Sequence, residues 1–363
     1  MNFNEIISFL LAGGLLLLGF LLLINPMETN KKGNFYFGLC LLLWSTFWLD
    51  EVFNAENFKN NSYFVIAKSI VQFFTPIAFY LSIKFYTNPT YKLNKEGGRY
   101  LILPIIYLFF LLYSFSSSKA IFKILPIILM MGNALLYTVL AYVNIQKHQK
   151  NIESVISNKE LVDLNWIKNI IYAIAGSTII AMFYNAFSNA TALNLYMNLF
   201  FLAVVYMIAY FSIKQKEVYP QDLNIDEIVN TDDIENEQQK SKLLISNSEL
   251  ETLKERLLHF IETEKPYLDS ELNLVKLADK LSLSTHQLSY VINNGFNENF
   301  FQFINKYKVQ KAKELLNNPK YDNYTIVAIG FESGFNSKTA FNTTFKKMTS
   351  YTPTEYRKSR SDL

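Results

Sequence analysis

This sequence is short of the residues that chemistry usually needs. It holds one cysteine, Cys40, inside an apolar run, which excludes an internal disulfide and argues against a thiolate metal site. The histidines number three; His148 and His259 have no companions at metal-ligand spacing, and neither HExxH nor GxSxG occurs. The central thirds of the apolar runs lack Asp, Glu and His, the groups from which the proton relays of pumps are built. No catalytic residue, metal or cofactor is expected. Charge of either sign is also thin: a net +3 over 363 residues averages an apolar part, an acidic tract and a mildly basic end, and decides little.

Apolar residues are what the chain has in quantity. Half of it is hydrophobic and 16% aromatic, and stretches near the ~20 residues that cross a bilayer recur seven times, at about 6–25, 34–53, 63–86, 99–116, 120–145, 165–188 and 192–213. The expectation is an all-α chain whose residues 1–215 form a seven-helix transmembrane bundle in a lipid bilayer. The first stretch follows MNFNE, which has no Lys or Arg, and no small-residue cleavage site follows Ile24-Asn25-Pro26, so it reads as a retained helix rather than a signal peptide. Lys31, Lys32, Lys92, Lys95, Arg99, Lys147, Lys150, Lys159, Lys214 and Lys216 fall in alternate connections. The other connections hold only Lys59 and Lys119, with Asp50, Glu51 and Glu56 beside the former. Basic residues mark the inner side, so the N-terminus is expected outside and the C-terminus in the cytoplasm of a bacterial inner membrane.

The outward loops are too short for a ligand domain, so a sensed signal would be a small ligand entering between helices or through lipid, or a membrane partner. Lys68, Lys123, Asn133, Asn185, Asn194 and Asn198 lie at membrane depth. The lysines can snorkel and the asparagines can bond between helices. Asp50 and Glu51 end the second stretch near the level of Lys68, which makes those three the candidate sensor cluster. Pro76 is expected to kink the third stretch, and Gly13-Gly14 to let a helix approach the first closely.

Residues 216–246 are an expected linker. EVYPQDLNIDEIVNTDDIENEQQKSKLLIS carries eight acidic residues before Lys240 and little periodicity. Such a coil reaches roughly 30 Å. It reads as a solvated tether, with two rivals: an acidic inhibitor of a basic face, or a cleavage site.

From Glu249 the pattern is helical, and residues 247–363 form a third region. Leu250, Leu253, Leu257, Phe260 and Ile261 make one stripe, ended by Lys265-Pro266. Leu274, Leu277, Ala278 and Leu281 predict a short buried helix. Ser282-Leu283 turns the chain, and Ser284 caps a second helix with core side Leu288, Val291 and Ile292. A longer helix, about Asn299 to Leu316, follows. The pattern then repeats: Thr325 caps a short helix to about Glu332, Gly334 permits a turn with positive φ, and Ser337 caps a helix to Met348 with Phe341 and Phe345 inward. Two helix-turn-helix units joined by a rigid spacer point to double-stranded DNA, with each second helix in a major groove.

Residues 249–360 resemble the C-terminal domain of AraC-family transcription regulators. The resemblance rests on LADKLSLSTHQLSYVINN, YKVQKAKELL, TIVAIGFESGFNSKTAFNTTFKK and TPTEYRK. EKPYLDSELNL is similar to the lead-in of a bacterial subgroup carrying this domain behind a multi-spanning membrane region. The chain departs from the family at Lys308, where Arg is common and bidentate geometry is lost, at Gly330, where Ala is common, and at Ser350, where Gly is usual; Gly330 is expected to loosen its helix. The resemblance implies a seven-helix domain placing two recognition helices on one face of the duplex. Carried over by position, the base-reading candidates are His286, Ser289 and Tyr290, then Lys338, Thr339, Asn342 and Thr343. Lys suits guanine O6/N7, Asn suits adenine, and Thr methyls suit thymine. The phosphate candidates are Lys346, Lys347 and Arg357, with the helix N-termini at Ser284 and Thr325. Neither recognition helix contains Arg, and residues 249–362 hold 16 basic against 14 acidic residues. Binding should therefore be salt-sensitive, and a homodimer would strengthen it.

The function expected is a membrane-tethered, sequence-specific transcription regulator with the bundle as sensor. The rival from another class is a membrane receptor or transporter whose helical tail binds protein.

Overall fold

The computed structural model describes residues 3–52, 61–93, 97–117, 119–157, 162–187, 192–215 and 246–361, with the side chains of Glu51 and of 181–194 and 360–361 outside that description. Most of the expected linker, 216–245, lies outside it, as do the side chains of Glu51, Asn185 and Asn194. The described residues are helical, with one isolated bridge between Ile156 and Asn273 and no strand. They divide into two compact units, Met1–His148 with Leu164–Pro220, and Gln149–Asp163 with Gln221–Leu363.

The first unit contains α1 (Phe3–Ile24), α2 (Lys31–Ser45), α3 (Leu49–Val52), α4 (Ser62–Phe73), α5 (Thr75–Thr87), α6 (Arg99–Ser116), α7 (Ala120–Glu153), α8 (Asn165–Phe187) and α9 (Ala192–Lys214). Among the described residues, five helical stretches are long and apolar enough to cross a membrane: Phe3–Ile24, Ser62–Thr87, Arg99–Ser116, Ala120–Glu153 and Leu195–Lys214. Of the two remaining expected spans, one is broken. At 34–53 the helix breaks after Ser45 into the 3-10 turn Thr46–Trp48 and the short α3. Ser45 and Thr46 help the break, because both hydroxyls donate back to carbonyls three residues earlier. At 165–188 one helix, Asn165–Phe187, forms over the expected length, with its side chains from 181 on outside the description. Pro76 acts as expected: α4 stops at Phe73 and α5 restarts with the proline in its first turn.

Close helix approach comes from a different glycine pair than Gly13-Gly14. Nothing would meet a Cβ on Gly13, and one on Gly14 would lie 3.3 Å from Val205. On Gly38 of α2, a Cβ would lie 2.6 Å from Gly19 O of α1. The backbones touch at Gly19 and Gly38, one to two turns beyond the expected pair, and any side chain there would force them apart.

The second unit contains α10 (Asn247–Glu264), α11 (Leu274–Lys280), α12 (Thr285–Tyr290), α13 (Phe300–Asn317), α14 (Ile326–Glu332), α15 (Lys338–Thr349) and α16 (Pro353–Ser361). α10 starts on a Ser246 cap and ends at Lys265, with φ 48°, where Pro266 forbids continuation. α13 serves two cores. Its first half, with Phe300, Phe303 and Ile304, packs with Leu257, Ile261, Leu277, Leu288 and Val291. Its second half, with Val309, Ala312, Leu315 and Leu316, packs with Ile329, Phe335, Phe341 and Phe345. One rigid helix thus forms a wall of both small cores and sets their separation.

Candidate nucleic-acid interface

The first helix-turn-helix unit is α11, a turn and α12. Asn273 caps α11 by accepting from Lys276 N. Ser282 takes φ +52° in the turn, a cost a non-glycine residue bears only where tertiary packing imposes it. Arg256 of α10 secures the turn by donating from Nη2 to Leu281 O at 2.6 Å. Ser284 opens α12 with a full capping box, its Oγ accepting from Gln287 N while Gln287 Oε1 accepts from Ser284 N. α12 runs only to Tyr290 and then widens into a π-helical turn, Val291–Gly295. Leu288, Val291 and Ile292 are buried. His286, Ser289 and Tyr290 are half-buried on the outer side, and Asn293 Nδ2 donates to Ser289 Oγ at 3.3 Å.

The second unit repeats the plan with a tighter turn. Thr325 Oγ1 accepts from Ala328 N to start α14, and Ser337 Oγ accepts from Ala340 N to start α15. Gly334 between them has φ +85°, and a Cβ there would lie 2.2 Å from Tyr267 O. The glycine is needed both for its left-handed backbone and for the approach of the 266–268 turn. Phe341, Thr344 and Phe345 of α15 are buried, whereas Lys338, Thr339 and Thr343 are exposed and Asn342 is half-buried on the opposite side. Positions 338, 339, 342 and 343 share one stripe of the helix, so the four side chains form one polar face. Lys346 and Lys347 are exposed in the last turn of the same helix.

Two features differ from what the residues alone suggest. Gly330 does not loosen α14: it is buried within the helix, and a Cβ on it would lie 2.7 Å from Phe341 Cδ1. The missing methyl makes room for the aromatic ring that joins α14 to α15. Arg357 is turned inward, Nη1 donating to Tyr324 O at 2.8 Å, while Nε and Nη2 are buried without a partner among the described residues. Ser284 and Thr325 cap their helices as expected, and those helices have only six and seven residues.

Lys308 is the residue whose importance sequence reasoning missed. It is 1% exposed at the middle of α13. Its Nζ donates to Gly334 O at 2.9 Å and to Ser157 Oγ at 3.3 Å, and lies 5.8 Å from the centre of the Phe335 ring. Burial pushes its pKa down to about 8, partly opposed by the Asp269 carboxylate. The Arg that the resemblance leads one to expect at that position was the available signal, since it implied a cationic group used for geometry rather than for solvation.

In the first unit, the candidate sensor residues Lys68 and Asp50 meet as an ion pair, both partly buried. Asn198 accepts from Trp48 Nε1 at 3.0 Å and donates to Asn4 Oδ1 and Ser8 Oγ. Asn133 donates to Phe73 O at 2.9 Å, and Lys123 is exposed. A further buried set went unnoticed in the sequence: Tyr86 OH donates to Asn34 Oδ1 at 2.5 Å, and Asn34 Nδ2 to Asn25 Oδ1 at 2.8 Å. Among the described residues no cluster of His, Cys, Asp and Glu could hold a metal ion.

Residues 277–359, from α11 into α16, match the helix-turn-helix domain family. No curated protein and no solved structure matches the chain. The match covers both reading units and supports the AraC-type reading of this region as the DNA-binding part of a transcription regulator.

Proposed function

We propose that the chain is a membrane-tethered, sequence-specific transcription regulator in which the apolar helices of the first unit sense a signal and bias the grip of the second unit on DNA. The observation that carries this reading is the pair of capped helix-turn-helix units on one spacer helix, in a chain whose described residues include five helices apolar and long enough to cross a membrane. α12 and α15 would enter successive major-groove segments. Lys338 donates to guanine O6/N7, Asn342 pairs with adenine, and Thr339 and Thr343 offer methyl groups to thymine, while His286, Ser289 and Tyr290 read the other segment. Lys346 and Lys347 neutralise phosphates, and Arg357 would join them only by giving up its inward hydrogen bond to Tyr324 O. The Asp50–Lys68 pair is the site where a signal would act on charge, with Glu51 next to Asp50 in the sequence.

Selection from a random duplex pool by the full chain in lipid nanodiscs, at low salt, tests the reading. Enrichment of a defined motif, weakened by Lys338→Ala, supports it. Equal retention of all sequences would return the chain to the class of membrane proteins with a protein-binding tail.

A further inference from the structure

Four residues from the connection between α7 and α8 are built into the second unit. After Glu153 the chain turns at Ser154 and Val155, and Ile156 forms the antiparallel bridge with Asn273. Val155 O accepts from Leu274 N at 2.8 Å, and Ser157 Oγ donates to Leu272 O at 3.0 Å. From the other side, Asn305 Nδ2 donates to Ser157 O at 2.9 Å, and Lys308 Nζ donates to Ser157 Oγ. Val155 is 5% exposed and belongs to the same apolar cluster as Leu272, Leu277 and Leu288.

These contacts reach both reading units. Leu274 N is the first amide of α11, one of the donors a helix leaves without an internal acceptor, and Val155 supplies that acceptor. Lys308 holds Ser157 with the same ammonium that holds Gly334 O, in the turn of the second unit. A buried cation that loses an acceptor is costly, and an apolar site that loses its occupant leaves a cavity. The segment therefore completes the first reading core and steadies the group that grips the second turn. In sequence it lies between α7 and α8, both helices of the first unit over most of their length.

We propose that residues 154–157 are a strut coupling the helices that flank them to DNA reading. Docked, the strut holds both reading units in the DNA-competent arrangement; withdrawn, it leaves Leu274 N, Asn305 and Lys308 short of partners and weakens DNA binding. A displacement of α7 against α8 reaches the strut through the chain itself. By thermodynamic reciprocity, DNA that prefers the docked state must also favour docking. The proposal rests on the DNA-binding reading given above.

The test uses the full chain in lipid nanodiscs and a duplex selected by the wild type from a random pool. Hydrogen exchange at the Leu274 amide is followed with and without the duplex, relative to amides of α10. Affinity is measured for Val155→Asp and Ser157→Ala. The expected result is slower exchange at Leu274 on DNA binding, beyond any slowing in α10. Affinity should fall ten-fold or more in Val155→Asp and by less in Ser157→Ala, with the preferred motif unchanged. Exchange at Leu274 that ignores the duplex, or a Val155→Asp chain still protected in α13 that binds as tightly as wild type, overturns the strut and leaves the DNA-binding reading standing. Should Val155→Asp fail to fold, the wild-type exchange measurement decides alone. A wild type that selects no motif overturns both.

Discussion

Lys308 carries a cost that pH can reveal. An ordinary lysine titrates near 10.5, and burial brings this one to about 8. The folded state therefore disfavours its charged form by about 3 kcal/mol. Between those two values the unfolded chain holds a proton that the folded chain has released, so stability rises with pH from about 8. Tyr267 and Tyr307, both pushed up from 10 by burial, act with the opposite sign above pH 10. The clean window is pH 8 to 10, where wild type should gain Tm with pH and Lys308→Met should not; parallel curves for the two would contradict the burial of a charged amine. Ser350 offers a second test. It ends α15 at φ +67°, where the resemblance leads one to expect glycine. Ser350→Gly should stabilise the unit by about 1 kcal/mol, seen as a higher denaturation midpoint at unchanged slope. Gly330→Ala should do the reverse. The gain in helix propensity is about 1 kcal/mol, but the methyl would meet the fully buried Phe341 ring. Overpacking of this kind costs about 1–3 kcal/mol, so a net loss of stability is expected, and a melt that moves upward would rule out the close contact.

At the scale of elements, the reading helix α15 separates its two kinds of residue. Lys338 and Asn342 face outward from the helix that buries Phe341 and Phe345, so their truncation should leave the fold intact. Each should cost about 1–3 kcal/mol of DNA affinity and relax preference at one base position. Lys346→Ala should instead weaken all sequences alike and lower the salt slope by about one. Identical behaviour of Lys338→Ala and Lys346→Ala in salt titrations would remove the distinction between reading and anchoring. Three helices and their caps were legible beforehand, because Ser284, Thr325 and Ser337 stand where side-chain oxygens satisfy first-turn amides. The apolar stripe of α13 was legible for the same kind of reason. What could not be read was the docking of Ser157 against Leu272, Asn305 and Lys308. The residues are separated by more than a hundred positions, and no periodicity spans that distance. Nor did the sequence distinguish Gly19-Gly38 from Gly13-Gly14 as the place where helices touch, since that depends on the rotation of α1 against α2.

For the whole molecule, the apolar half and the reading half make separate demands on one chain. Many large apolar side chains of α1, α6 and α7 are exposed, among them Leu17, Phe20, Ile105, Phe109, Ile128 and Leu135. Water does not tolerate so much exposed apolar surface, whereas lipid matches it. The second unit is nearly neutral, with 16 basic and 14 acidic residues over 249–362, so the proposed DNA affinity would depend on few phosphate contacts and gain from a tether or a second copy. The central claim is that this chain reads DNA while embedded in a membrane. The most direct measurement is to crosslink cells, wash their membranes, and sequence the DNA that sediments with the full chain. The account predicts a small set of sites sharing a motif, present with wild type and depleted several-fold with Lys338→Ala. Membranes that retain no enriched sequence, or the same sequences in both, would contradict it.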